Sequence, residues 1–219
     1  MGAMHSWWLW IIVAYGCGSV PFGLLIGRAR GVDVRKAGSG NIGATNVGRV
    51  LGRKWGALCF ALDVIKGGGP VLAAGLVLGW TGAAHLGPRQ TWQWLAIAAA
   101  AMLGHVFPVW LKFRGGKGVA TGLGVMLGLW PALTLPGVAA GLTWLLFASC
   151  LRCVSLASIM AALLLPFYVL VEATLRGQGP GATAPLLIVT GLMALLIVLR
   201  HRGNLRRLAA GTESRLGSR

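Results

Sequence analysis

VATGLGVMLGLWPALTLPGVAAGLTWLLFASC, residues 119–150, decides the fold of this chain. Read as a single helix, the stretch would extend roughly 48 Å at 1.5 Å per residue. A bilayer's hydrocarbon core is only about 30 Å thick. Pro131 and Pro136 offer a break, because proline lacks the amide donor and its ring clashes with the preceding turn. Split there, the stretch gives two shorter helices.

The residues around it choose between the two readings. Five other apolar runs surround the stretch, at 7–26, 55–78, 92–110, 155–171 and 184–199. With two helices in the middle the chain has seven spans. The segments 28–54, 111–118, the turn at Arg152 and the C-terminal tail then share one side. They hold 17 of the 20 Lys and Arg residues, against Arg89 and Arg176 opposite. One central helix would carry Arg152 and the tail to the other side. Basic residues collect on the cytoplasmic side. The expectation is an all-α polytopic membrane protein: seven transmembrane helices, N-terminus outside, C-terminus cytoplasmic, one domain over residues 1–219. Trp7, Trp8, Trp10, Trp80, Trp92, Trp94 and Trp130 fall near the expected outer ends, where an aromatic belt belongs. The first run lacks a basic leader and reads as a span, not a cleaved signal.

Composition agrees. The chain is 56% hydrophobic and only 11% charged, with net charge +16. A soluble domain has about a quarter of its residues charged. In so apolar a chain the basic excess reads as topology, not nucleic-acid binding. The four acids, Asp33, Asp63, Glu172 and Glu213, are too dispersed for a hard divalent cation, which needs clustered oxygen ligands. No metal or cofactor is expected. The cysteines are Cys17, Cys59, Cys150 and Cys153; the last two form a CxxC without a second pair and read as buried small hydrophobes rather than a zinc half-site. His85 and Arg89 sit in the short loop after the second run. No internal repeat is visible, which leaves an inverted-repeat transporter without support.

Five polar constellations interrupt the apolar chain. GSGNIGATN, residues 38–46, is followed by Arg49. It contains GxGxxG, but no strand precedes it, so the dinucleotide reading fails. What remains is a glycine loop with Ser39, Asn41, Thr45 and Asn46 as hydrogen-bonding groups. Backbone nests bind phosphate, and Arg49 adds a planar fork. DVIKGGG, residues 63–69, sets Asp63 and Lys66 three apart on one helix face within a span. They form either a structural ion pair or a site in which Lys66 turns toward a phosphate.

GHVFPVWLKFRGGKGVAT, residues 104–121, opens a helix with Gly115, Gly116, Lys117 and Gly118. It is not a Walker loop, since Leu111 and Gly118 stand where that motif needs Gly and Ser or Thr. Free N–H groups at a helix start still attract anions, with Thr121 one turn further on. His105 reads as a packed, hydrogen-bonded histidine. Ser155, in SLAS at 155–158, is either an N-cap or a ligand. In HRGNLRRLAAGTE, residues 201–213, His201 and Asn204 share a face; a plain basic lipid anchor would explain the arginines but not these two. All five lie on or near the expected cytoplasmic side. Two phosphate-style loops on one face point to a reaction between two phosphorylated molecules rather than to a channel.

Taken together and in order, these motifs resemble the acyl-phosphate:glycerol-3-phosphate acyltransferase (PlsY-type) family over nearly the whole chain. Gly48, Gly203 and Leu205 depart from the usual pattern. The resemblance implies a bacterial cytoplasmic-membrane enzyme that moves an acyl group from acyl phosphate to the 1-hydroxyl of glycerol 3-phosphate. The products would be lysophosphatidate and inorganic phosphate, in the first acylation step of phospholipid synthesis. It implies critical roles for Ser39, Arg49, Lys117, His201 and Asn204, an acyl-phosphate loop at Gly115–Gly118, and a structural Glu213. The general base is expected to be either His201, oriented by Asn204, or a phosphate oxygen of a substrate. Expected partners are the two substrates, membrane lipid and the soluble enzyme that makes acyl phosphate. Other membrane transferases fit less well: HxxxxD is absent after His5, His85, His105 and His201, as is an aspartate-rich phosphotransferase motif.

Overall fold

The computed structural model describes residues 7–83 and 86–216, so His85 and its place in a loop lie outside the described residues. The described chain is helical throughout. α1 (Trp7–Ser19) and α2 (Phe22–Ala29) form one broken span. α3 (Ala44–Leu51) and α4 (Arg53–Val77) follow, then α5 (Pro88–Val106), α6 (Val119–Gly128) and α7 (Thr134–Leu151). α8 (Val154–Leu175), α9 (Pro180–Arg200) and α10 (Arg202–Ala209) complete the order.

Residues 119–150 do break into two helices. α6 stops at Gly128, the chain turns through Leu129–Leu133, and α7 starts at Thr134. Pro131 lies in the turn, whereas Pro136 sits in the first turn of α7, where its missing donor costs no intrahelical bond. Among the described residues, six segments are long and apolar enough to cross a membrane; α6 is apolar but has only ten residues. Residues 28–54 read as loop from their sequence, yet Ala44–Leu51 within them forms the helix α3.

Large aliphatic side chains such as Ile12, Leu76 and Leu192 face outward, while alanines and glycines are frequent at the buried helix contacts. Lipid gives no hydrophobic drive between helices, so close backbone approach does the packing instead. The seam between α4 and α6 shows it. A Cβ on Gly68 would lie 2.5 Å from Gly124 O, and one on Gly124 would lie 2.0 Å from Val64 O. Gly67 and Gly68 of DVIKGGG therefore serve helix contact, Gly67 against Thr121.

Two tryptophans depart from the expected belt. Trp8, Trp92 and Trp130 are exposed, but Trp80 and Trp94 are buried in the core. Trp94 Nε1 donates to Val71 O at 2.9 Å, which satisfies its polar edge inside the bundle. Cys153 is buried as expected, and Cys59 is buried too, whereas Cys150 is exposed on the outside of α7. All four are free thiols.

Candidate active site

A cavity of about 610 Å³ opens between α3, α6, α7, α8 and the start of α10. One part of its wall is polar. Ser39, Asn41, Thr45, Asn46 and Arg49 come from the first glycine loop and α3, and Lys117 and Gly118 from the entry to α6. Ser155, His201, Asn204 and Glu213 close the far side. Residues more than 170 positions apart in the chain thus share one chamber. Lys66, Gly115, Gly116 and Thr121, expected as substrate contacts, are not on its wall.

The first loop is built by Asn46. Its Oδ1 accepts from Ser39 N at 2.7 Å, while Nδ2 donates to Val34 O, Ala37 O and Asn41 O at 2.9, 3.1 and 2.8 Å. Asn41 Oδ1 accepts from Gly43 N at 2.8 Å. Asn46 is buried with its amide saturated, so it shapes the loop and has nothing left for a substrate. The exposed Ser39, Thr45 and Arg49 are the groups on offer.

The second loop corrects the simple phosphate-cradle reading. Gly115 N donates to Val106 O and Gly116 N to His105 O, both at 3.1 Å. Those two amides are therefore spent. Glycine is needed here because the loop lies against α5: a Cβ on Gly116 would fall 2.1 Å from His105 Nε2, and one on Gly115 2.1 Å from His105 O. The first turn of α6 still has unpaired N–H groups, since the first amides of any helix lack an intrahelical acceptor. No side chain caps it at Gly118. Thr121 faces α4 instead, fully buried, its Oγ1 without a hydrogen-bond partner.

Arg200 holds this loop from outside the cavity, a role not read from the sequence. Its Nη2 donates to Gly115 O at 2.9 Å and its Nε to Gly116 O at 3.3 Å. A basic residue next to an anchor-like cluster gives no signal for such a contact.

Lys66 is occupied as well. Its Nζ lies 2.7 Å from Asp63 Oδ1 and donates to Val20 O at 2.8 Å. The alternative of a structural pair is the one realised. Behind it, His105 is buried with Nδ1 3.8 Å from Asp63 Oδ1 and no hydrogen bond to that nitrogen. It is packed, as expected, but not hydrogen-bonded at Nδ1.

Lys117 Nζ donates to Asn204 Oδ1 at 2.5 Å. Asn204 Nδ2 donates to Glu213 Oε1 at 2.6 Å, and Arg207 Nε to Glu213 Oε2 at 2.7 Å. Burial pushes the Glu213 carboxyl up, but hydrogen bonds from Asn204, Ser155 and Arg207 outweigh it and hold the group below the usual range. Ser155 is thus beside Glu213 and not an N-cap; α8 starts at Val154 behind Cys153. Burial, opposed by Glu213 and reinforced by Arg207, Arg49 and Arg200, brings Lys117 down to about 8.

His201 is oriented by the backbone, not by Asn204, whose amide bonds Lys117 and Glu213. Nδ1 lies 2.8 Å from Ile197 O. Only a protonated Nδ1 can bond a carbonyl, so the neutral ring keeps its lone pair on Nε2. Burial and the nearby Lys117 charge lower His201 to about 4, against the Ile197 bond and Glu213.

The remaining wall is apolar. Leu123, Met126, Leu127, Val138, Leu142, Leu145, Ala161, Leu165 and Met193 line a slot between α6, α7, α8 and α9. Sequence patterning did not single these residues out, because inward and outward faces of these helices are equally apolar.

Membrane-length helices around a chamber that is cationic at one end and apolar along the rest define an integral membrane protein of the multi-span helical class. Residues 8–211 match the model of the glycerol-3-phosphate acyltransferase family. A glycerol-3-phosphate acyltransferase of Trichlorobacter lovleyi is 45% identical over 206 residues, 94% of this chain and 95% of that protein. One of Myxococcus xanthus is 45% identical over 209 residues, 94% of this chain and 97% of that protein. The glycerol 3-phosphate form of PlsY, an integral membrane glycerol 3-phosphate acyltransferase, superposes with TM-score 0.82 at 39% identity, over 97% of this chain and 96% of that one. Its lysophosphatidic acid form gives 0.79 at 38% identity, with the same coverage. The chain belongs to the glycerol-3-phosphate acyltransferase family.

Proposed function

We propose that this protein acylates the 1-hydroxyl of glycerol 3-phosphate with acyl phosphate as donor, releasing lysophosphatidate and inorganic phosphate. The observation that carries the reading is the single chamber joining Ser39, Arg49, Lys117 and His201 to an apolar slot. The slot suits an acyl chain, and two cationic groups suit two phosphates. In our assignment Lys117 and the first-turn amides of α6 hold the acyl phosphate, while Arg49 and Ser39 hold glycerol 3-phosphate. Bringing two anions together is the costly step, and fixed cations and amides in one chamber lower it.

The substrate 1-oxygen attacks the acyl carbonyl carbon. Its proton passes to His201 Nε2 or to a substrate phosphate oxygen. The carbon–oxygen bond to phosphate then breaks, and phosphate leaves with the electron pair. The leaving group is already good, so little acid assistance is required, and this route needs no metal. Asn204 and Glu213 serve by holding Lys117. The whole chain acts as one domain with seven crossings, α6 included, N-terminus outside and the chamber's polar mouth toward the cytoplasm of a bacterial inner membrane. The charge asymmetry supports that orientation. A soluble enzyme that makes acyl phosphate is the expected supplier.

The experiment is purified protein in detergent with acyl phosphate, glycerol 3-phosphate and EDTA. Lysophosphatidate formed in step with inorganic phosphate is the expected result. Equal turnover with acyl-CoA or acyl-carrier protein would overturn the donor assignment.

A further inference from the structure

A second cavity, about 390 Å³, lies away from the active-site chamber. Its apolar lining includes Gly16, Leu24, Leu25 and Trp110, and its cationic lining is Arg28 and Arg35. Two candidate spans end beside it, Trp7–Ala29 and Pro88–Leu111, so the groove sits where hydrocarbon gives way to headgroups. Its floor is open: a Cβ at Gly16 would meet nothing within 4 Å. Leu25 and Trp110 are exposed along its edges, and an exposed tryptophan at a span end is an interfacial anchor.

The two arginines differ. Arg35 donates from Nε and Nη2 to the Asp33 carboxylate, with the shortest contact at 2.6 Å, so most of its fork is used and its charge is offset. Arg28 is exposed at the last turn of α2. The net charge at the mouth is positive, and it stands over an apolar trough. A free anion would use the guanidinium and leave the trough empty; an apolar molecule would use the trough and leave the charge idle. Only a molecule carrying both parts matches the whole groove.

We propose that this groove binds a membrane phospholipid with an anionic headgroup, its phosphate at Arg28 and one acyl chain along Gly16 between Leu24 and Trp110. The site is separate from catalysis and does not depend on the function proposed above.

The test uses the purified full chain in detergent, titrated with phosphatidylglycerol or with phosphatidylcholine of the same chains, and read by native mass spectrometry and thermal stability. Phosphatidylglycerol should bind and stabilise, and phosphatidylcholine should do so at least fivefold more weakly. Arg28→Gln, at an exposed position that the fold tolerates, should weaken phosphatidylglycerol about fivefold, the effect of roughly one basic side chain near a lipid headgroup. Gly16→Leu should fill the trough and reduce binding with both arginines intact, whereas Arg176→Gln, on the far side of the bundle's charge pattern, should leave phosphatidylglycerol binding unchanged. Wild-type response of both Arg28→Gln and Gly16→Leu, or equal binding of the two lipids, would overturn the proposal. So would inorganic phosphate alone giving the same Arg28-dependent stabilisation, since that would make the groove a plain anion site.

Discussion

Lys117 and Asn204, 87 positions apart, meet through a hydrogen bond of 2.5 Å from Nζ to Oδ1. The same amide ties Lys117 indirectly to Glu213, whose other oxygen is held by Arg207. A cation on the α6 loop is therefore fixed by the tail of the chain. Asn204→Ala removes the acceptor from Lys117 and one of the donors to Glu213. A buried polar group left unpaired costs about 1–3 kcal/mol. Both a lower thermal midpoint and a loss of kcat/KM on the order of 10²-fold are expected. Glu213→Gln, which keeps an acceptor for Asn204, should lose less. Thermal unfolding and initial rates on the two variants check this.

The pH dependence follows from Lys117. Its folded value of about 8 means the free protein loses this charge as pH rises through 8. The profile of kcat/KM, which reports the free enzyme, should fall on that limb, and Lys117→Arg should move the limb upward. Stability should run the other way. Between about 8 and the ordinary 10.5 the unfolded chain binds more protons than the folded one, so stability rises with pH across that window. A protein that unfolded in step with the alkaline activity loss would contradict this account.

His201 is neutral above about 4. With Nδ1–H committed to Ile197 O, Nε2 is free to take a proton at neutral pH. His201→Ala should lower kcat by about 10²–10⁴-fold if the ring is the general base. Near-normal kcat would exclude the histidine and leave a substrate phosphate oxygen as the acceptor. Single-turnover rates separate this chemical effect from binding.

Much of this arrangement was legible in the sequence, and the failures have physical causes. The break within residues 119–150 follows from bilayer thickness and two prolines, and the structure places it at Leu129–Leu133. Ser39, Arg49, Lys117, His201 and Asn204 do share a chamber. What sequence could not give was which partner each polar group prefers. Gly115 and Gly116 read as a phosphate cradle, yet their amides serve Val106 and His105. Lys66 read equally as ligand or ion-pair partner, and only the position of Asp63 and Val20 O decides. Trp80 and Trp94 follow the belt pattern by position but turn inward. Trp80 lies in the turn after α4, outside any periodic pattern, and Trp94 lies in α5, whose flanking faces are both largely apolar.

The loop against α5 gives a compensating pair. Gly116→Ala places a methyl 2.1 Å from His105 Nε2, which the packed ring cannot accommodate without moving Lys117. Activity should drop about 10-fold or more, and His105→Ala in the same chain should restore part of it. Gly69→Ala, with nothing within 4 Å of the added methyl, should be neutral or stabilise α4 by about 0.5–1 kcal/mol. Initial rates on the single and double variants decide; absence of any rescue would place the damage elsewhere in the loop.

The apolar slot sets the last expectation. Gly141 lines it from α7, and a Cβ there would have Leu123 Cδ1 as its nearest neighbour, at 3.8 Å, leaving room for a small addition. A larger side chain must project into the slot itself. If the donor's chain lies there, Gly141→Leu shortens the space available to it without touching Lys117, Arg49 or His201. Each buried methylene contributes about 0.8 kcal/mol, so two lost methylenes amount to a factor of roughly 15. The variant should therefore penalise long acyl phosphates by about that factor in kcat/KM while sparing short ones, with KM for glycerol 3-phosphate unchanged. Competition between donors of two chain lengths in one tube reads the ratio directly. An unaltered ratio in a folded, active Gly141→Leu protein would mean that the acyl chain takes another route.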